Sequence, residues 1–467
     1  MHLVVLMAFV VALTLADQAP LVASRWLVLP AVVTYVAGSV AAGAFRTVLS
    51  LRAMGRGASL PPRALRRHNV LNILGQCWLV AGLGGVILLG YGRWVLDDLR
   101  LGWVPLVGEV VVLAPFVVAL LLSWVLEYPF YHALRARIAA QQAAMGEPVR
   151  PVWTRGQYLG YNLRHHFLFV AVPVGLILLA SDTLWLLGGY FPGEAGKQIA
   201  LGASVVCAGL VFLCAPLLIV RIWRTARLPD GPLRDDLLNT CRRMRLRCRD
   251  LLVWRSGGVI ANAGVMGLIP KVRYVLLSDA LLERMNDREI KAIFAHEAGH
   301  IVCHHLLYAM MFAVSAVVLC GTAGELLTEG LDLDWWSGQT VTLGMLALAW
   351  GVGFGYLSRR FERQSDVIAA WASALDAPDA GGRITPEGAA IFSRSLERVA
   401  ELNGIPAGQR NWRHGSIASR VRYIMWLGST AGNRREIDRL VRLIKAALWA
   451  AVVVSASVVV VRTVLGL

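Results

Sequence analysis

The chain has 467 residues, 57% of them hydrophobic and only 16% charged, and it carries a net charge of +16 from 46 Lys and Arg against 30 Asp and Glu. That composition is too apolar for a water-soluble protein. The positive balance would also suit a nucleic-acid binder, but no reading motif accompanies it, so a lipid surface is the expected partner of the basic residues and no nucleic acid is expected.

Long uncharged runs explain the composition. Nine candidate membrane spans lie at about 3–16, 26–45, 70–90, 104–126, 167–187, 199–220, 306–324, 338–357 and 446–466. The first is short but lacks the basic start and cleavage site of a secretion signal, so it is counted as a span. Arg46, Arg52, Arg56, Arg63, Arg66 and Arg67 stand between the second and third spans with no acid among them, and Arg135, Arg137, Arg150, Arg155 and Arg164 stand between the fourth and fifth. The loop after the seventh span is the reverse, with Glu325, Glu329, Asp332 and Asp334 and no base. By the positive-inside rule one alternation satisfies these loops, with the N-terminus, 221–305 and 358–445 on the cytoplasmic side.

Past the sixth span the pattern changes. From Pro232 onward Leu237, Cys241, Met244 and Cys248 recur at helical steps, with Arg242, Arg243, Arg245, Arg247 and Arg249 on the other face. Runs at 251–255, 259–269 and 272–277 are rich in β-branched residues and punctuated by Gly, which predicts a small sheet. An edge strand there would pair with an extended peptide.

The stretch 287–305 reads as one helix running unbroken into the seventh span. Asn286 is its N-cap, Glu289 completes a capping box, and Ile290, Ile293, Phe294 and Ile301 form an apolar stripe. Within it lies His296-Glu297-Ala298-Gly299-His300, an H-E-x-x-H motif. Residues i and i+4 share a helix face, so both imidazoles can reach one metal while Glu297 serves as general base for a water. The predicted cofactor is one Zn²⁺ per chain, held by His296, His300 and a third residue from elsewhere. Glu362 is assigned as that third ligand. Asp366, one helical turn on, would orient a ligand His from behind. His304 and His305 are expected to make interfacial hydrogen bonds rather than hold a second metal.

These residues resemble the integral-membrane zinc metalloproteases that include the CAAX prenyl endopeptidase and HtpX. The resemblance rests on 286–300 and on Phe361-Glu362-Arg363-Gln364-Ser365-Asp366, and it extends over roughly 221–426. It implies a zincin-like catalytic domain of the gluzincin kind, in agreement with Glu362 as ligand. It further implies substrate binding by Asn262 and Ala263 and a catalytic element containing His414 and Arg420, in which Gly415 stands where the family usually has Pro. His414, or alternatively Arg420, would stabilise the oxyanion, and the other role open to Arg420 is to orient a carboxylate at the site.

The expected protein is mainly α, a polytopic integral membrane protein with a small β-sheet on the cytoplasmic side. Its expected parts are a transmembrane region at 1–220, a metalloprotease region at 221–443 interrupted by two spans, and a C-terminal membrane helix at 444–467. Its expected activity is peptide hydrolysis, on protein substrates associated with the bilayer. Two alternatives stay open at this point: a zinc-binding scaffold or receptor without turnover, and a site-2-type intramembrane protease. Against the second, Asp287, Arg288, Glu289 and Lys291 directly precede the motif.

Overall fold

The apolar runs become helices because a backbone in lipid must satisfy its hydrogen bonds within its own segment. The computed structural model describes residues 1–16, 25–55, 62–144, 149, 151–188, 194–258, 260–374, 382–430 and 435–465. Among them, eight helices are long and apolar enough to cross a membrane. The chain divides into two units, Met1–Trp223 and Arg224–Leu467.

Among its described residues the regular elements of the first unit are helices: α1 (His2–Leu15), α2 (Val28–Met54), α3 (Pro62–Val86), α4 (Val107–Ala144), α5 (Arg155–Asn162), α6 (Leu168–Gly188) and α7 (Glu194–Ile222). The predicted first span is the exception to the expected nine. At 14 residues α1 extends only about 21 Å, short of a hydrocarbon core of about 30 Å. It instead buries Val4, Val5, Ala8, Phe9 and Ala12 in the unit's core. The basic loop after the second span is also shorter than expected. α2 continues to Met54, so Arg46 is a buried helix residue, paired with Glu127 of α4 at 3.3 Å and bonded to Asn72 of α3 at 3.1 Å.

The second unit begins with β1 (Ala226–Arg227) and α8 (Pro232–Arg243), followed by β2 (Asp250–Trp254), β3 (Ala263–Met266) and β4 (Tyr274–Ser278). The strands form one sheet in the order β1-β2-β4-β3, with β2 and β4 parallel and β3 antiparallel to β4. This is the predicted small sheet, with β1 at one edge and β3 at the other. The basic helix, by contrast, ends early. Arg245 takes a left-handed backbone (φ 53°), so Arg245, Arg247 and Arg249 lie beyond α8, and Arg249 bonds the Lys271 carbonyl instead.

Then come α9 (Asp279–Arg284), α10 (Asp287–Val302), α11 (His305–Gly330), α12 (Trp335–Leu348), α13 (Gly355–Ala372), α14 (Pro386–Leu402), α15 (Ile417–Ser429) and α16 (Arg435–Leu465). α11 and α12 pack as a hairpin, and α16 packs along α11 and α13. A π-helical turn, Ala349–Phe354, joins α12 to α13. α12, this turn and α13 therefore form one continuous helix long enough to cross a membrane, with the polar α13 as its last part. Part of the predicted loop at 377–387 falls outside the described residues.

Candidate metal centre

The motif helix starts as the sequence predicts. Asn286 Oδ1 accepts from the Glu289 amide at 3.0 Å, and Glu289 Oε2 accepts from the Asn286 amide at 3.1 Å. The predicted continuity of the helix does not hold. α10 ends at Val302, and His304 adopts a left-handed backbone (φ 56°), which sets α11 on a new axis from His305 onward. The stretch between His300 and the membrane-length helix is thus a corner, and it returns His305 toward the motif.

α10 meets α13 at close range. A Cβ on Gly299 would stand 3.2 Å from the Ser365 Cα, so the motif's glycine sets the approach of the two helices. That approach carries Glu362 and Asp366, one turn apart on α13, up to the two imidazoles. His296 Nε2 and His300 Nε2 lie 3.2 Å apart. Glu362 places Oε2 3.6 Å from the first and Oε1 3.5 Å from the second.

These spacings fit a metal. Ligands about 2.0–2.1 Å from one tetrahedral ion stand about 3.3 Å from each other. Three electron-pair donors at 3.2–3.6 Å have nothing to bond among themselves unless a proton or a cation lies between them. The donor set of two imidazoles and one carboxylate suits zinc. His296, His300 and Glu362 are the one such group among the described residues.

The neighbouring residues hold these three side chains in place. His296 Nδ1 lies 3.0 Å from Asp366 Oδ1, close though off the line of a straight hydrogen bond. With the proton on Nδ1, Nε2 keeps its lone pair for the metal. Arg420 donates to Asp366 through Nε (2.8 Å) and Nη2 (2.5 Å), and the same Nη2 lies 3.3 Å from Glu362 Oε2. It is buried, and its charge offsets the two carboxylates. His414 Nδ1 touches Glu362 Oε1 at 2.8 Å.

Electrostatics follow from burial and charge. Burial disfavours protonated His296, but the carboxylates of Asp366 and Glu362 outweigh it and hold its pKa above the usual value. His300 is pushed down to about 4, first by burial and then by the charge of His296. A neutral imidazole is what a metal requires. Glu297 is pushed up to about 7, chiefly by burial and also by Glu362. The Arg420 guanidinium is held above its ordinary value by Asp366 and Glu362 despite its burial.

Asn262 and Ala263 sit where β3 begins, with Ala263 buried and Asn262 exposed. The backbone there is fixed by Ser278, whose Oγ accepts from the Asn262 amide at 2.9 Å and whose amide donates to the Asn262 carbonyl at 2.9 Å. Asn403 also pins this segment, bonding both the amide (3.2 Å) and the carbonyl (2.7 Å) of Ala261. His414 lies in a tight loop closed by Asn411 and Gly415, which pair backbone to backbone, while Asn411 Oδ1 accepts from the Arg413 and His414 amides. Gly415 has φ 75°. Proline is confined near −65°, so this loop cannot carry the proline of the related element.

The sequence left Arg420 with a choice of roles. The helix face held a clue: Arg420, Ile424 and Leu427 are all buried on α15, so an arginine occupies an i, i+4, i+7 apolar stripe. Such an arginine needs a buried anion, and Asp366 is that anion. Asn403 gave no comparable signal, because its partner lies 142 positions away.

Residues 252–383 match peptidase family M48. The chain is 26% identical over 149 residues to the protease HtpX of Legionella pneumophila, covering 32% of this chain and 53% of that protein. It is 28% identical over 188 residues to the CAAX prenyl protease 1 homolog of Arabidopsis thaliana, covering 37% and 44%. The chain thus spans about half the length of the curated relatives it matches. The crystal structure of S. mikatae Ste24p overlays with a TM-score of 0.46 at 16% identity, covering 85% of this chain and 99% of that one. The M48 region contains the whole proposed ligand set but ends before His414 and Arg420.

Proposed function

We propose that the protein is an integral-membrane zinc metalloendopeptidase cleaving peptide bonds of membrane proteins or membrane-associated proteins. The observation that carries this reading is the convergence of His296, His300 and Glu362 within 3.2–3.6 Å, with a fourth group, Glu297, on the same helix and not among the ligands. Zinc bound there would supply a Lewis acid that polarises a carbonyl and acidifies a water.

The chain's own residues do the rest. Glu297, with its carboxyl desolvated, takes the proton of the attacking water and returns it to the leaving amine. His414 donates to the carbonyl oxygen as charge develops on it, moving off Glu362 to do so. Arg420 is committed to Asp366 and Glu362 and serves to hold the ligands. The edge strand β3, entered through Asn262 and Ala263, pairs with the extended substrate backbone. Among the described residues β3 has one sheet partner, β4, which leaves its other edge for a peptide.

The substrates follow from position. His300 lies five residues before the start of a membrane-length helix, and Glu362 lies in the polar last part of another. Hydrolysis therefore takes place beside the bilayer. Acids at the far end of the α11–α12 hairpin, Glu325, Glu329, Asp332 and Asp334, argue that this end is outside and that the metal centre faces the cytoplasm.

The test is zinc content and cleavage of a membrane-tethered reporter by purified wild-type protein and Glu297→Gln. Glutamine keeps the shape but cannot accept the proton. Zinc should stay near one per chain while hydrolysis falls by about 10²–10⁴. Wild-type turnover in Glu297→Gln would remove the mechanism.

A further inference from the structure

The two histidine ligands are held from behind in different ways. His296 meets a carboxylate directly. His300 does not: its Nδ1 faces the Nδ1 of His305 at 3.0 Å. His305 is buried, 3% exposed, and stacks flat on Phe361 with ring centroids 4.2 Å apart. Its other nitrogen, Nε2, lies 2.8 Å from Gln364 Oε1, and Gln364 Nε2 donates to Asp438 Oδ1 at 2.6 Å.

The directions in this row are determined by its carboxylate end. Asp438 as a carboxylate only accepts, so Gln364 must turn its amide nitrogen to it and its oxygen to His305. His305 must then carry its proton on Nε2, which leaves Nδ1 as an acceptor. The hydrogen between the two facing Nδ1 atoms therefore belongs to His300. With Nδ1 protonated, His300 keeps the lone pair of Nε2, the nitrogen aimed at His296 and Glu362. Ser365 Oγ, at 3.5 Å from His305 Nδ1, is a more distant neighbour that does not alter this order.

We infer that Asp438, acting through Gln364 and His305, fixes the tautomer and orientation of His300, making these three positioning residues for the metal centre. The inference rests on the zinc reading above. It gives α16 a function beyond anchorage. Lys445, two turns after Asp438 on the same helix, donates to the Cys303 carbonyl at 2.6 Å, just beyond the end of α10. α16 thus holds the α10–α11 corner at one point and the relay to His300 at another. The corner itself is required, because an unbroken helix would not return His305 to His300.

The experiment measures zinc affinity by chelator competition on the full chain in detergent, with melting of the metal-free protein and the visible spectrum of the cobalt-substituted form as parallel readouts. His305→Phe retains a ring to stack on Phe361 but offers no acceptor to His300. It should weaken zinc by about 10–100-fold and shift the cobalt bands, with metal-free melting close to wild type. Gln364→Leu, which interrupts the relay one step further out, should weaken zinc in the same direction. Combining Gln364→Glu with Asp438→Asn reverses the last bond while leaving His305 an acceptor, and it should recover most of the affinity that Gln364→Leu loses. A merely structural role would show no such recovery. Wild-type zinc affinity in His305→Phe, or a paired exchange as weak as Gln364→Leu, would overturn the relay. Should His305→Phe fail to fold, Gln364→Leu and the paired exchange decide the matter. Wild-type protein that takes up no zinc at all would instead sink the underlying metal-centre reading.

Discussion

Each unit of the chain buries a charged cluster, and the two are built on opposite principles. In the first unit Arg46, His68, Asn72 and Glu127 come together from α2, α3 and α4. Both oxygens of Glu127 face a nitrogen, Arg46 Nη2 at 3.3 Å and His68 Nε2 at 3.3 Å, and Ser50 Oγ lies 3.0 Å from His68 Nδ1. Donors meet acceptors, and the cluster is a clasp between helices. In the second unit Nε2 of His296, Nε2 of His300 and both Glu362 oxygens converge on one point; Arg420 and His414 also reach those oxygens, but the two imidazole nitrogens face each other at 3.2 Å. A buried cluster whose opposite charges face each other satisfies itself, whereas converging lone pairs need a proton or a cation between them.

That contrast predicts different losses. The largest should come from Glu362→Ala, which removes one of three converging acceptors. Zinc should drop well below one per chain, and reporter cleavage should drop with it. Full zinc occupancy in that variant would place the third ligand elsewhere. Atomic absorption on the purified protein reads the outcome directly.

His414→Ala comes next. It leaves the three proposed ligands intact and removes a donor that stands at 2.8 Å from Glu362. Cleavage should slow by about 10²–10³, the usual scale for one oxyanion donor, with zinc unchanged. Loss of zinc instead would mean that His414 supports Glu362 rather than the reaction.

Much of the second cluster could be read before any coordinates. Spacing on a single helix is a local property, so the H-E-x-x-H face and the Glu362–Asp366 face were both visible as i, i+4 pairs. The capping box at Asn286 was local too. What stayed hidden depends on the path between elements. The left-handed His304 breaks a run whose composition is helical throughout, and only the resulting corner brings His305 behind His300. Arg420 to Asp366 spans 54 positions and Gln364 to Asp438 spans 74, separations over which no periodicity speaks. In the first unit the hydropathy pattern placed Arg46 among loop cations because the apolar run ends there. The helix continues past the run, since a buried partner on α4 makes the charge tolerable.

The smallest effect at the metal centre should come from breaking the first cluster, and it sharpens the comparison most. Glu127→Gln keeps an oxygen for one donor but removes the charge that faces both Arg46 and His68. Arg46 is then left buried without its counter-ion, keeping Asn72 as a neutral acceptor. The cost should be about 1.5–3 kcal/mol, the range for hydrogen bonds to charged groups, and it should appear as a lower melting temperature in detergent. Zinc stoichiometry should not change, because none of the ligands or their supporting residues belongs to this cluster. Adding Arg46→Met should recover part of the loss, since removing both charges from a buried pair costs less than removing one. If Glu127→Gln instead stripped zinc from the protein at temperatures where it remains folded, the two clusters would be coupled, and the first would be part of the catalytic apparatus rather than a clasp.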